Sequence, residues 1–219
     1  MKIMLIDDRT IRQTRFTEET GIDLNTPNSI LDNYSAKKYD ELLLEFRNNN
    51  YTRLNNYDVI ITHRSAFDNI NSTVLDELKK VCADEDKKKS LVFFSGGISS
   101  TTYLKMPFEF LLINSKTFYS ENIEQYINEP KNILQLAYGK KYNIAIMLNI
   151  LEKINLFVGS NLNNEEISFR KFKRETGIES INHLIKYDPP NSTILKTSDL
   201  QMLTKKLTTQ IKRQVVLDV

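Results

Sequence analysis

Short apolar runs alternate with amphipathic segments along the first 130 residues, and this alternation constrains the fold more than any other feature. The five runs are Lys2 to Ile6, Asn28 to Asn33, Tyr57 to Thr62, Leu91 to Ser95 and Phe108 to Ile113. Apolar runs of this length, separated by segments of helical periodicity, are typical of buried parallel strands joined by helices. We therefore predict a doubly wound α/β domain with a five-stranded parallel sheet.

Polar side chains follow four of these runs. Asp7 and Asp8 come directly after the first run, His63 after the third, Ser95 at the end of the fourth, and Lys116 shortly after the fifth. The carboxyl ends of parallel strands meet at one edge of the sheet, where ligands and catalytic groups collect. We therefore expect two acids, a hydroxyl and an ammonium group to face one another across a crevice.

The order of these elements resembles the receiver domain of two-component response regulators. "MLIDDRTIRQ" is similar to the first strand and acidic pair of that family, "YDVIITHRS" to its third strand, and "LVFFSGG" to its fourth. "FEFLLINSKTFYSENI" looks like the fifth strand, with the family's Lys-Pro-Phe signature read as Lys116-Thr117-Phe118. The resemblance covers roughly residues 1 to 128 and implies the flavodoxin-like arrangement of receivers.

In receivers the acidic pair holds Mg²⁺, an aspartate ending the third strand accepts a phosphoryl group, and the Ser/Thr and Lys bind its oxygens. The resemblance assigns these roles to Asp7 and Asp8, Ser95 and Lys116. The acceptor position falls on His63, or on Thr62 if the register slips by one residue. Imidazole is a poor ligand for Mg²⁺, which prefers oxygen. We therefore interpret the domain as a degenerate pseudo-receiver.

The degenerate pocket predicts neither an enzyme nor a bound cofactor. Mg²⁺ at Asp7 and Asp8 remains an alternative, as does a purely structural ion pair between Lys116 and one of these acids. A third alternative is an ATP-using or phosphohydrolase enzyme built on Asp7, Asp8, Ser95 and Lys116.

"SGGISS" also resembles the "SGGxDS" phosphate loop of ATP pyrophosphatases, although Ser99 replaces its acid and the loop follows the fourth strand. We favour a simple turn.

The remainder of the chain, residues 131–219, is predicted to be a basic helical extension. Residues 1–130 carry 16 Lys/Arg and 20 Asp/Glu, a net −4, whereas residues 131–219 carry 14 and 8, a net +6. Tyr142 to Phe157 is apolar on most faces, so it must be buried in this region or in an interface. A basic surface with interleaved aromatic residues consists of Arg170, Lys171, Lys173 and Arg174. It is the best candidate contact for nucleic acid or for an acidic partner.

These patterns favour a regulatory or scaffolding protein that binds a protein partner, with a kinase or NTPase encoded nearby as a candidate and a homodimer as an alternative. The second choice is a DNA-binding response regulator whose basic C-terminal helices contact the phosphate backbone. "MKIMLIDDR" reaches two aspartates too early for a signal peptide, and no apolar run has the roughly 18 residues of a membrane helix. We therefore expect a cytoplasmic protein with no membrane partner.

Overall fold

The computed structural model describes residues 1–27, 29–68, 70, 73–84, 88–105, 107–161, 166–178 and 194–217. The chain forms two compact units, Met1–Lys140 and Lys141–Val219. The first unit therefore extends ten residues beyond the predicted boundary after Pro130. The extension belongs to this unit because Ile133, Leu134 and Leu136 are buried in it.

The first unit contains six strands, six α-helices and a 3₁₀ helix at Thr52–Asn56 among its described residues. In chain order the strands and α-helices are β1 (Ile3–Ile6), α1 (Thr10–Thr20), β2 (Leu31–Tyr34), α2 (Ala36–Arg47), β3 (Val59–His63), α3 (Thr73–Cys82), β4 (Ser90–Ser95), β5 (Thr102–Leu104), β6 (Glu109–Asn114), α4 (Ser115–Phe118), α5 (Glu121–Asn128) and α6 (Gln135–Tyr138). A second 3₁₀ helix, Gly139–Lys141, lies at the boundary between the units.

The six strands form one sheet in the order β2-β1-β3-β4-β6-β5. The first five of these are mutually parallel, in the order found in flavodoxin-like folds, and β5 pairs antiparallel with β6. The predicted α/β class is confirmed, but the sheet has six strands and not five. The additional strand has only three residues, and its Thr102 and Leu104 are exposed, so it leaves no apolar run in the sequence.

The two central strands are buried on both faces. Every residue of β1 and of β3 is buried, which explains why their sequences are continuous apolar runs rather than alternating patterns. On one face, Ile60 of β3 belongs to a core cluster with Phe46 of α2 and Leu78 of α3. β1 pairs in parallel with β3 from Ile3 to Ile6, so the carboxyl ends of the two strands lie side by side.

Lys89 departs from the expectation for its segment. The charged run Asp84 to Lys89 predicts a solvated helix end, yet Lys89 is 4% exposed. Its ammonium group donates to the carbonyl oxygens of Asn55, at 3.1 Å, and of Tyr57. These carbonyls lie at the end of the 3₁₀ helix, where backbone acceptors lack helical partners. The lysine therefore satisfies a helix end just before β4 begins.

The second unit contains three helices and a two-stranded sheet among its described residues. They are α7 (Tyr142–Ser160), β7 (Glu166–Ser168), α8 (Phe169–Thr176), β8 (Ile194–Lys196) and α9 (Thr197–Leu217), and β7 pairs antiparallel with β8. The region predicted as helical thus also contains a small sheet. The segment "ESINHLIKY" predicts a helix with His183 on its surface, and this residue lies outside the described residues.

The apolar helix α7 forms the spine of the second unit. Met147, Ile154 and Phe157 are buried in a cluster that also contains Leu203 and Leu207 of α9. The helix is 19 residues long, but no helix within the described parts of the chain is both long and apolar enough to cross a membrane. Its high apolar content is therefore explained in large part by packing within the unit.

Candidate functional site

The candidate site lies at the carboxyl ends of β1 and β3. The chain leaves β1 to form β2 on one side and returns to form β3 on the other, so the strand order reverses between these two central strands. A crevice forms at such a reversal because the two connections leave in opposite directions. Asp7 and Asp8 follow β1 directly and His63 is the last residue of β3, which brings the three side chains together.

Asp7 is fully buried, and both of its carboxylate oxygens accept hydrogen bonds. Oδ1 accepts from the guanidinium of Arg12 at 2.8 Å and from the backbone N–H of Arg9 at 3.0 Å. Oδ2 accepts from the hydroxyl of Tyr119 at 2.5 Å. Burial raises the pKa of Asp7, although these three groups act in the opposite direction. Burial and the neighbouring carboxylate also raise the pKa of Tyr119, which favours its protonated, hydrogen-bond-donating form.

Asp8 lies against the imidazole of His63. Asp8 Oδ1 lies 2.9 Å from His63 Nδ1, but the angle is not that of a hydrogen bond. Among the described residues, Asp8 Oδ1 has no hydrogen-bond partner. Ser65 Oγ is also 2.9 Å from Nδ1. Burial raises the pKa of the Asp8 carboxyl, but its interactions with His63 and the charge of Arg12 outweigh burial, so the pKa lies below its ordinary value. The ionised form of Asp8 is therefore favoured.

Arg12 supplies the positive charge of this cluster. Its guanidinium contacts Asp7, lies 3.7 Å from Asp8 Oδ1, and approaches His63 Nδ1 at 3.4 Å. Arginine keeps its charge at all physiological pH values. The side chain is 18% exposed, so the charge is largely shielded from water. The guanidinium therefore neutralises the acids as a bound cation would.

A metal ion fits this cluster poorly. Asp7, Asp8 and His63 offer ligand atoms that lie within 4.8 Å of one another, a spacing that can hold an ion. However, Mg²⁺ favours an octahedron of oxygens, and one of the three donors is an imidazole nitrogen. An ion coordinated by Asp7 would also compete with the guanidinium of Arg12, which lies 2.8 Å from Asp7 Oδ1. The arrangement therefore fits an internal ion-pair network better than an Mg²⁺ site.

The other two residues predicted for the site do not join this network. Ser95 ends β4 and is aligned with Asn114 of β6. Lys116 lies in the short helix α4, where its side chain is exposed. In the described part of the chain, neither side chain forms a hydrogen bond or ion pair with Asp7, Asp8 or His63. The alternative of an ion pair between Lys116 and one of these acids is not seen among the described residues, where Arg12 pairs with Asp7 instead.

Sequence reasoning missed both Arg12 and Tyr119 as site residues. Arg12 had a usable signal, because it follows Asp8 by four residues at the start of a predicted helix, the spacing at which side chains meet. Tyr119 lies 112 residues from Asp7 along the chain. Its ring also packs against Phe16 and Phe94, with centroids 5.6 Å away in each case. Only the packed fold brings this hydroxyl to the acid.

The glycine pair of "SGGISS" belongs to an exposed turn after β4. The side-chain amide of Asn114 donates to the carbonyl oxygen of Ile98 at 2.7 Å, which ties the turn to β6. The turn leads into the strand β5 and not into a helix. Phosphate loops depend on a helix N-terminus to supply their positive dipole end. The turn thus lacks the element that an ATP-binding loop would require.

Part of the predicted basic surface makes contacts within the second unit. Lys171 Nζ donates to Asn161 Oδ1 at 2.7 Å, at the end of α7. Lys173 Nζ lies 4.7 Å from the ring centroid of Phe169, and Arg174 pairs with Glu175 at 3.4 Å. Arg170 is exposed and has no ion pair among the described residues. Arg170, Lys173 and Arg174 nevertheless remain exposed, so the contacts leave most of the predicted basic surface accessible.

The site as a whole combines a buried acid, an ionised acid, an imidazole and a guanidinium that neutralise one another. Such a network fixes the ends of β1 and β3 and leaves no carboxylate at the end of β3 to act as a nucleophile. Comparisons of the chain with protein-family models, with curated proteins and with solved structures gave no match. The function is therefore inferred from the site and its surroundings.

Proposed function

We propose that the first unit is a receiver-like regulatory module that does not accept a phosphoryl group and acts by binding a protein partner. The observation that carries this proposal is the bonding of Asp7. Both of its oxygens are already engaged by Arg12, Arg9 and Tyr119, so the acid is not free to coordinate an ion. His63 stands at the strand end where an acceptor carboxylate would be needed.

Phosphorylation provides the direct test. The full-length protein is incubated with Mg²⁺ and acetyl phosphate, and its intact mass is measured. We expect no added phosphoryl group, because a buried imidazole and an engaged acid replace the metal and acceptor ligands. A stable adduct on Thr62, His63 or a neighbouring acid would contradict the proposal.

A designed variant supplies the matched positive control. His63→Asp restores a carboxylate at the end of β3, and Arg12→Gln removes the guanidinium that neutralises the acidic pair. We expect Mg²⁺ to raise the thermal midpoint of the double variant and not that of the wild type, because ligands that bind only the native state stabilise it. A double variant that ignores Mg²⁺ would contradict the receiver-like interpretation of the pocket.

The exposed turn after β4 supports partner binding. Gly96 and Gly97 have no positive φ, and a Cβ added at either would meet nothing within 4 Å. Neither glycine is therefore required by the unit's own backbone or packing. Small residues without an internal role allow another chain to approach the backbone closely. We assign the partner contact to this turn, next to the candidate site.

The assignment is tested by capture from a lysate of the source organism. Gly96→Val combined with Gly97→Val should leave the fold unchanged and should abolish capture of the partner that the wild type retains. Gly159→Val is the control, since this exposed glycine of α7 also has nothing within 4 Å of an added Cβ. Equal capture by the turn variant and the wild type would place the contact elsewhere.

A further inference from the structure

The helix α7 carries a second apolar stripe besides the one that faces the core of its unit. The residues of this outer stripe line a shallow groove of about 680 Å³ and are Leu148, Leu151, Glu152, Asn155, Leu156 and Gly159. Leu148 is 50% exposed and Leu156 is 68% exposed. Exposed leucines that adjoin one another in a groove, unlike single ones scattered over a surface, mark an interaction site.

The positions along the centre of the outer stripe are symmetric. Leu148, Glu152, Asn155 and Gly159 follow one another at intervals of four, three and four residues. These intervals are the same in both directions along the chain, and they place the four side chains in one seam along a helix. An antiparallel second copy of α7 can therefore bring each residue of the seam opposite another, with Leu148 opposite Gly159 and Glu152 opposite Asn155.

The side chains that meet in this alignment are complementary. Gly159 leaves room for Leu148 of the other copy, since large and small residues on facing positions interdigitate. The Glu152 carboxylate accepts hydrogen bonds, and the Asn155 amide of the other copy can donate to it. Neither of these polar side chains has a hydrogen bond or ion pair with another residue in the described part of the chain. The outer stripe is thus complementary to itself in both shape and hydrogen bonding.

Two leucines flank the seam. At about 100° per residue, Leu151 and Leu156 lie about 140° apart around the helix, with the seam between them. In the antiparallel alignment they would cover the central contacts of Glu152 and Asn155 from both sides. Shielding from water strengthens such hydrogen bonds, and a buried polar pair fixes the register of two packed helices. The stripe therefore specifies one alignment and not a general apolar contact.

This symmetry favours a second copy of the chain over other occupants. A different protein would require a complementary surface but no symmetry in the stripe itself. A helix that binds a lipid surface carries many Lys and Arg beside its apolar side, whereas Glu152 is the only charged residue of the outer stripe. Self-complementarity is what a two-fold interface requires of a single surface, because residue i meets residue j and j meets i.

We propose that the outer stripe of α7 is a homodimer interface, in which two copies of the helix pack antiparallel about a two-fold axis. Each of the contacts between Leu148 and Gly159 and between Glu152 and Asn155 forms twice. The stripe has six residues, fewer than the roughly 20–30 on each side of a standard interface, so the dimer is weak and reversible. It is separate from the partner contact of the first unit and does not depend on it.

Sedimentation equilibrium of the full-length protein, from micromolar to millimolar concentration, measures the dimer. The wild type should be monomeric at the lowest concentration and increasingly dimeric at higher ones. Leu148→Asp combined with Leu156→Asp should remain monomeric throughout, because charges would be buried in the interface without partners. A wild type that is monomeric over the whole range would overturn the proposal and would leave the stripe to a different partner.

A charge exchange tests the alignment itself. Asn155→Glu should raise the dissociation constant at least about tenfold, because like charges then face each other across the interface. Adding Glu152→Lys to this variant should restore the dimer, since each lysine then faces a glutamate of the other copy. In a parallel pair, position 152 would face position 152, so the second substitution would not restore the dimer. Failure of this rescue would therefore overturn the antiparallel interface.

The matched control is Asn149→Glu, which makes the same substitution on α7 at about 120° around the helix from Asn155. We expect this control to dimerise as the wild type does. An equal loss of dimer in Asn149→Glu and Asn155→Glu would show a general effect of charge on the helix and would overturn the proposal. Circular dichroism checks that each variant is folded.

Discussion

At the scale of single residues, the site combines predicted and unexpected side chains. Asp7, Asp8 and His63 converge because parallel strands align their carboxyl ends. Arg12 and Tyr119 complete the cluster in place of Ser95 and Lys116. The sequence could place residues at the ends of strands, but it could not tell which cation would neutralise the acids. That choice depends on where α1 and α4 direct their side chains.

Arg12→Gln should destabilise the first unit by about 3–5 kcal/mol, because it leaves a buried charge without its partner. Asp7→Asn combined with Arg12→Gln should lose less stability than Arg12→Gln alone, since both charges are then removed. Urea denaturation measures each free energy of unfolding.

The control for this cycle is Arg15→Gln, an exposed arginine on the same helix with no ion pair among the described residues. A change within about 0.5 kcal/mol is expected there, as for most surface substitutions. If Arg12→Gln were as mild as Arg15→Gln, the guanidinium would not be neutralising Asp7 in solution.

At the scale of elements, the long apolar runs were readily recognised and the short or polar elements were not. β3 is confirmed from the run at Tyr57 to Thr62, because β-branched residues buried on both faces leave a clear pattern. β5 has three residues and little burial, so its sequence shows no strand pattern. It is a strand because it pairs with β6. The helix α7 was expected to be buried and is buried only in part: Met147, Ile154 and Phe157 face the core, whereas Leu148 and Leu156 are exposed.

Ile154 and Leu148 of α7 provide a matched comparison of buried and exposed positions. Ile154 is fully buried, whereas Leu148 is 50% exposed. Ile154→Ala should destabilise the second unit by about 2–5 kcal/mol, because it removes buried surface and leaves a cavity. Leu148→Ala should change stability by only about 0.5 kcal/mol.

Hydrogen exchange of the α9 amides, followed by mass spectrometry, measures opening of this unit in the full chain. Faster exchange in Ile154→Ala than in Leu148→Ala is the expected result. The reverse order would mean that the exposed face of α7 is covered in solution, as an interface with a second copy or a partner would require.

At the scale of the whole molecule, the chain divides into two compact units, and the first of them ends at Lys140. The boundary was predicted after Pro130 because the net charge of the chain changes sign there. The next ten residues contain α6 and the buried side chains of Ile133, Leu134 and Leu136. Amino-acid composition does not show which residues after the last strand pack against the first unit.

Two fragments test this boundary. Residues 1–140 should unfold cooperatively in urea, whereas residues 1–130 should be less stable by several kcal/mol, because each large buried aliphatic side chain contributes about 1.5–3 kcal/mol. The difference in the midpoint of urea denaturation is the measurement. Equal midpoints would show that the segment after Pro130 does not stabilise the first unit.

The sequence by itself determined the α/β class, the central parallel strands and the acids and imidazole at their ends. These are local properties, because periodicity and the length of an apolar run report burial along one segment. The tertiary structure decided which charges pair, that Lys89 is buried, and that Tyr119 reaches Asp7 across 112 residues of chain. Electrostatic and hydrogen-bond energies depend on distances in space, and those distances exist only once the strands and helices have packed.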